Sequence, residues 1–225
     1  MKLTIFAATG GIGRQLLEQA IDAGHDVTAV ARHPQKLPGQ LSSQVRVVSA
    51  DLAVPDPATL TSAVQGADGV LSGLGPRSKA ETGIAAQGTQ AIVAAMQAAG
   101  TRRIVVVSAA PIGTVPSPAR PGPPKHDPGD GLIMQHLLNP LVKAAFRKHY
   151  ADLAQMEDIL RGSDLDWTAV RPPRLTDKPL TSTYRTAHGQ NLWRGLVISR
   201  ADVAHYMLRA LQQPDTIKQT IGIAS

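Results

Sequence analysis

The sequence contains no cysteine. Disulfides, thiolate metal ligands and a cysteine nucleophile are therefore excluded, and the chain suits a reducing compartment. Aromatic residues are also scarce, at 3% of 225 residues, which leaves few rings on which nucleic-acid bases could stack. The histidines are scattered and show no His-x-x-x-His spacing, so no metal site is expected. No apolar run is long enough to cross a bilayer; the apolar start breaks at glycines after Ala8 and belongs to the first strand. The formal charge is +6, but the basic residues are dispersed, and anionic small molecules explain the excess as well as a nucleic acid would. The expectation is a soluble, cytoplasmic protein with a small-molecule substrate and no nucleic-acid or membrane partner. At 225 residues the chain matches one large domain whose core needs no staples.

What is present is organised around Lys2 to Arg32. Leu3 to Ala8 is a short apolar run of the kind that forms a strand buried on both faces. Glycines follow at 10, 11 and 13, and Ile12, Leu16, Leu17, Ala20 and Ile21 then recur at helical spacing up to Gly24. Val27 to Ala31 completes a strand–helix–strand unit. A helix N-terminus reached through glycines offers N–H groups and a favourable dipole to a pyrophosphate. Thr9, Gly10, Gly11, Ile12 and Gly13 therefore form the candidate phosphate turn of a dinucleotide site. The spacing is that of G-x-x-G-x-x-G with Ala7 in place of the first glycine. Where an NAD site carries Asp or Glu for the ribose hydroxyls, this chain carries Arg32 after Ala31. A guanidinium pairs with a 2′-phosphate, and Arg14 in the first helical turn adds a second charge, so NADP(H) is the expected cofactor.

The alternation continues along the chain. Strands are expected at Val45–Ser49, Gly69–Ser72, Ile104–Val107 and Trp167–Val170, with helices at Pro57–Val64 and Thr82–Ala99. This rhythm implies an α/β fold, a doubly wound parallel sheet in a single domain spanning 1–225. Ligands in such sheets lie beyond the C-terminal strand ends. Thr9, Arg32, Asp51, the turn Gly73-Leu74-Gly75 and Ser108 all fall there. Seven of the seventeen prolines lie between Ala109 and Gly131, a density that excludes helix and sheet interiors and suggests a substrate-side lid, or else a plain flexible loop, within a lid or insertion at residues 111–145. Helical periodicity resumes over Leu132–Asn139. After Pro140 a further helix carries Leu141, Val142, Ala145, Phe146, Tyr150, Leu153, Met156 and Leu160 on one broad apolar face. Leu175–Ile198 reads as loop-rich, Ala201–Gln212 as a last helix, and Thr220–Ala224 as an edge strand. The long apolar helix faces suit a core or a dimer seam, leaving monomer or homodimer open.

The glycine turn, Asp51-Leu52, Gly73-Leu74-Gly75, Val106-Val107-Ser108, the stretch WTAVRPPRLTDKPLTSTYR at 167–185 and ISRADVAHYMLRAL at 198–211 resemble the atypical short-chain, NAD(P)H-binding reductases, notably the flavin reductase/biliverdin IXβ reductase type. The resemblance covers nearly the whole chain apart from about 111–145. It implies a Rossmann-like sheet, NADP(H) at Gly10, Gly11, Gly13 and Arg32, adenine contacts near Asp51 and Leu52, and the nicotinamide near Ser108 and the turn Pro172-Pro173. In this group a histidine follows the paired prolines; here Arg174 does.

Many short-chain dehydrogenases use Ser with Tyr-x-x-x-Lys, the lysine lowering the tyrosine pKa so that it can protonate an alkoxide. Ser108 is in place as the expected hydrogen-bond donor, but four residues after Tyr150 comes Ala154. Ser108 and Tyr150 are the catalytic candidates, with His149, His126 or water as other proton sources. Arg174, over the crevice, and His126, in the proline-rich segment, are the substrate-binding candidates; an arginine orients an anion but does not release a proton. The expected activity is NADPH-dependent reduction of a flavin, quinone or other conjugated small molecule. The alternatives are a non-catalytic NADP(H)-sensing regulator and a redox-neutral isomerase or cyclase.

Overall fold

The computed structural model describes residues 1–75, 81–131, 143 and 146–225. Strand β1 (Lys2–Phe6) is buried along all but its first residue, as its apolar sequence requires. It lies at the centre of a sheet completed by β2 (Asp26–Ala31), β3 (Arg46–Ser49), β4 (Gly69–Ser72), β5 (Arg103–Val107) and β6 (Asp166–Arg171). These strands are parallel, in the order β3-β2-β1-β4-β5-β6 of a Rossmann sheet. Further along the chain, β7 (Arg174–Thr176) pairs in parallel with β9 (Val197–Ser199) as a separate ribbon. The strand β10 (Gln219–Ala224) joins β6 in parallel, and β8 (Arg185–His188) closes the edge antiparallel to it.

Because side chains alternate along a strand, the sheet feeds two cores. Ile104 and Val106 of β5 point to one, and Val105 and Val107 to the other. The first core is covered by α3 (Pro57–Val64), α4 (Ile84–Ala99) and α5 (Arg147–Arg161), the second by α1 (Gly11–Asp22) and α6 (Arg200–Ala210). A four-residue α2 (Gly39–Ser42) lies between β2 and β3. Local chemistry sets the helix ends. Asp56 caps α3 by accepting from Thr59 N at 3.0 Å, Ser199 caps α6 by accepting from Asp202 N at 2.9 Å, and Gly100 closes α4 at φ 72°.

Several sequence expectations need correction. The last strand is interior, between β6 and β8, because β8 returns to pair with it. The stretch expected to be loop-rich holds β8 and most of β7 and β9, strands of three or four residues and too short to display an alternation. The helix expected from Thr82 starts at Ile84, and the last helix ends at Ala210. The helix expected at Leu132–Asn139 and the positions Pro140, Leu141, Val142 and Ala145 lie outside the described residues; α5 is described from Arg147.

The join between β1 and α1 is tightly packed. Ala7 adopts φ 56°, a left-handed conformation that suits glycine. A Cβ added at Gly13 would lie 2.1 Å from the Ala7 carbonyl oxygen, so only glycine lets the helix come this close to the strand end. Two substitutions of opposite sign test this. Ala7→Gly should raise stability by about 1 kcal/mol through relief of the left-handed backbone. Gly13→Ala should lower it by about 1–3 kcal/mol or more, read in both cases from urea unfolding.

Candidate active site

The C-terminal strand ends surround a crevice of about 350 Å³. Thr9, Gly10, Gly11 and Ile12 line it from the β1–α1 turn, and Arg32 and His33 from the end of β2. Asp51 and Leu52 follow β3, Gly73, Leu74 and Gly75 follow β4, and Ser108 follows β5. The candidates drawn from strand ends therefore meet in one place. Glu81, Ile84, Leu153, Leu175 and Arg200 also line the wall together with His149, and none of those first five was a site candidate from the sequence.

The turn fits a dinucleotide's pyrophosphate. Helix α1 has no side-chain cap and no acidic residue in its first turn. The N–H groups of its first turn lack acceptors within the helix, so they are available to an anion. Arg200 arrives from the start of α6: a Cβ on Gly11 would stand 2.7 Å from its Nε, which makes Gly11 the place where this cation crosses the phosphate turn. The Arg200 guanidinium also donates to Asp177 Oδ1 at 2.6 Å. Arg32 donates through Nη2 to Glu81 Oε1 at 2.7 Å, and that bond and charge hold its pKa above the usual arginine value. Asp51 Oδ1 accepts from Ala53 N at 3.0 Å and keeps its turn closed.

At the other end, Ser108 is part of a buried ionic cluster. Its Oγ donates to Glu157 Oε1 at 2.7 Å. Arg171, at the end of β6, grips the same carboxylate with Nε at 2.8 Å from Oε1 and Nη2 at 2.6 Å from Oε2. Arg161 adds a contact to Oε2 at 2.5 Å. Glu157 is 1% exposed. Burial by itself would push its carboxyl up; the hydrogen bonds and charge of Arg171, the charge of Arg161 and the Ser108 hydroxyl outweigh this and hold it below its usual range. An ionised carboxylate only accepts. The Ser108 proton is thus committed to Glu157, and the hydroxyl can offer the crevice lone pairs in place of the donor expected from the sequence.

The catalytic assignment of Tyr150 also needs correction. Tyr150 packs beside Phe146 and against the first core, outside the crevice wall. The α5 residues that do line the crevice are His149 and Leu153, four apart, with Glu157 on the next turn of the same stripe. The helical spacing of a Tyr-x-x-x-Lys pair therefore falls on a histidine and a leucine. Among the described residues His149 Nδ1 is buried with no hydrogen-bond partner, and burial lowers the ring's pKa, partly offset by Asp152.

Other candidates are not brought to the crevice. Gly13 faces the strand, and Arg14 pairs along α1 with Glu18 at 2.8 Å. Pro172 and Pro173 do not line the wall; the Pro172 carbonyl accepts from Ala110 N at 2.9 Å. Arg174 is exposed, whereas its strand neighbour Leu175 faces the crevice, as alternation along β7 dictates. No described residue of the proline-rich segment lines the crevice. Ile112 and Val115 are buried in the first core, and the Asp127 carboxylate accepts from Asn191 N at 2.8 Å, so this part clasps the sheet. His126 lines a separate cavity of about 240 Å³, which it shares with Arg120 and Arg171. Among the described residues no group of three His, Asp or Glu side chains could hold a metal ion, and no helix is long and apolar enough to cross a membrane.

Residues 7–214 match the family described as NAD(P)H-binding. YhfK of Bacillus subtilis, described as an uncharacterized sugar epimerase, is 28% identical over 223 residues, which span 96% of this chain and 90% of that protein. A short-chain dehydrogenase/reductase from Veillonella parvula, solved in complex with NADP, has a TM-score of 0.77 at 19% identity, covering 100% of this chain and 94% of that one. ChuY, an anaerobillin reductase from Escherichia coli O157:H7, has a TM-score of 0.75 at 23% identity, covering 100% and 97% of the two chains.

The ionic cluster predicts a specific acid response. Glu157→Gln should cost about 3–5 kcal/mol at neutral pH, because Arg171 is left buried without its counter-charge. Since folding depresses the Glu157 pKa, its contribution is full above the unfolded value near 4.5 and is lost as pH falls through the folded value. Urea unfolding of the two proteins should therefore converge on acidification and diverge toward neutral pH.

Proposed function

We propose that this chain, which belongs to the NAD(P)H-binding family over residues 7–214, is an NADPH-dependent reductase of a flat, conjugated small molecule such as a flavin or quinone. When bound, the dinucleotide supplies the hydride. The chain's residues supply the rest. The turn from Gly10 to Ile12 and the start of α1 hold the pyrophosphate, with Arg200 above them. Arg32 takes the 2′-phosphate in exchange for Glu81. Ser108 and Leu153, which line the other end of the crevice, would sit beside the nicotinamide.

The commitment of the Ser108 proton to Glu157 carries the reading on substrate class. Reduction of a simple ketone builds charge on one oxygen, which calls for a preorganised donor there. Ser108 has none to give, and Leu153 stands where a lysine would act on a neighbouring acid. A conjugated acceptor spreads the arriving charge over its own heteroatoms and needs less help at any single one. The lone pairs of Ser108 also suit an N–H or O–H on the rim of such a ring. The same features favour a second reading, a non-catalytic NADP(H) sensor, which also has no need of a donor. On either reading the protein acts as a monomer or homodimer without nucleic acid or membrane.

Two measurements separate these readings. In a binding titration with NADPH, NADP⁺, NADH and NAD⁺, NADPH should bind more tightly than NADH, and Arg32→Ala should weaken NADPH about tenfold or more while leaving NADH unchanged. Mixing NADPH with a panel of flavins and quinones should then give steady oxidation. Tight binding without oxidation of NADPH by any acceptor would replace the reductase with the sensor.

A further inference from the structure

We propose that His149 is the residue that protonates the acceptor. This rests on the reductase reading above. A two-electron reduction by hydride leaves the acceptor one proton short, so something in the crevice must deliver it. Described polar side chains on the wall are few. Arg32 and Arg200 do not release protons, and Asp51 and Glu81 stand near Arg32. His33 follows β2, three strand spacings or about 14 Å across the sheet from β5. The Ser108 proton is held by Glu157.

His149 is placed differently. Helix α5 starts at the crevice mouth and descends, so His149 stands eight residues, or about 12 Å along the helix axis, above the Glu157 that anchors Ser108. Ser108 and His149 thus line the same wall, and Leu153 lies one helical turn from His149 and one from Glu157, so a flat ring laid against Leu153 would have the imidazole beside it. The imidazole is fixed against the Tyr150 ring, at 5.5 Å between centroids. Its Nδ1 is sealed in the protein, which leaves Nε2 as the nitrogen able to reach a ligand.

The reaction then balances. The acceptor gains a hydride from NADPH, which leaves as NADP⁺, and gains a proton from Nε2 of the imidazolium. The neutral ring is recharged from solvent. Groups that bear on its charge are Asp152 and Tyr150 on its own helix, Ser108 from β5, Arg200 from α6, and the paired Arg32 and Glu81 on the wall. Burial makes the imidazolium the scarcer form at neutral pH, so the rate should rise as the solution is acidified.

The test compares wild type, His149→Gln and, as a control, His188→Gln, which alters an exposed histidine on β8. FMN is the acceptor. In wild type and the control, kcat/KM should fall with rising pH through a midpoint below 6.5. His149→Gln should lower kcat by about 100-fold, flatten that profile and leave NADPH affinity within about twofold. A readout independent of turnover comes from histidine-ring NMR in the presence of NADP⁺. The resonance missing in His149→Gln should titrate below 6.5, carry its neutral-form proton on Nδ1, and shift when oxidised FMN is added. Retention of the wild-type rate and pH profile by His149→Gln, or a ring signal indifferent to FMN, overturns the proposal while the reductase reading stands. If wild type oxidises no NADPH with FMN or any other acceptor, both fall together.

Discussion

A carboxylate buried at 1% exposure is the constraint on which the rest of this molecule depends. A charge removed from water is tolerable only when nearly every lone pair has a partner, and Glu157 finds its partners on three elements. Ser108 follows β5, Arg171 ends the adjacent β6, and Arg161 lies one turn further along α5. None can move without unpairing the others. The cluster thereby sets the rotation of α5 about its own axis, and with it which residues of that helix look into the crevice.

That rotation has chemical consequences. It turns His149 and Leu153 toward the ligand and Tyr150 toward the core. It also reverses the polarity of Ser108, from a donor to an acceptor, by giving its proton a permanent destination. The crevice is accordingly asymmetric. At the phosphate end, Arg32, Arg200 and the open start of α1 present positive charge, with Glu81 held against Arg32. At the opposite end lie an aliphatic side chain, a hydroxyl acceptor and an imidazole.

The proline-rich segment shows the same economy. Its composition argues against α-helix and sheet interiors, and its described residues hold a short 3-10 helix, Ala110–Thr114, and an isolated bridge between Ser117 and Arg120. What composition does not convey is where such a segment goes. Asp127 reaches across to the backbone of Asn191, and Ile112 and Val115 join the first core, so its described residues complete the sheet's cover.

By itself the sequence determined the order and kind of the main elements, the parallel sheet and the glycine turn, because each rests on local pattern: apolar runs, 3.6-residue periodicity and glycines at a strand end. Even Ala7 could be recognised as a departure, and its φ of 56° shows the position still asks for glycine. Tertiary structure alone decided which side chains enter the site. On a helix one position is a rotation of about 100°, enough to exchange Tyr150 for His149, and on a strand it is a change of face, enough to exchange Arg174 for Leu175. One local trace of this was present, since Glu157 interrupts the apolar stripe of Leu153, Met156 and Leu160 and so had to find partners. Their identity was not legible, because Arg171 and Ser108 meet it only when two neighbouring strands and a helix close on one another. The short strands β7 to β9 were hidden for the same reason: their pairing depends on distant partners and leaves no period of its own.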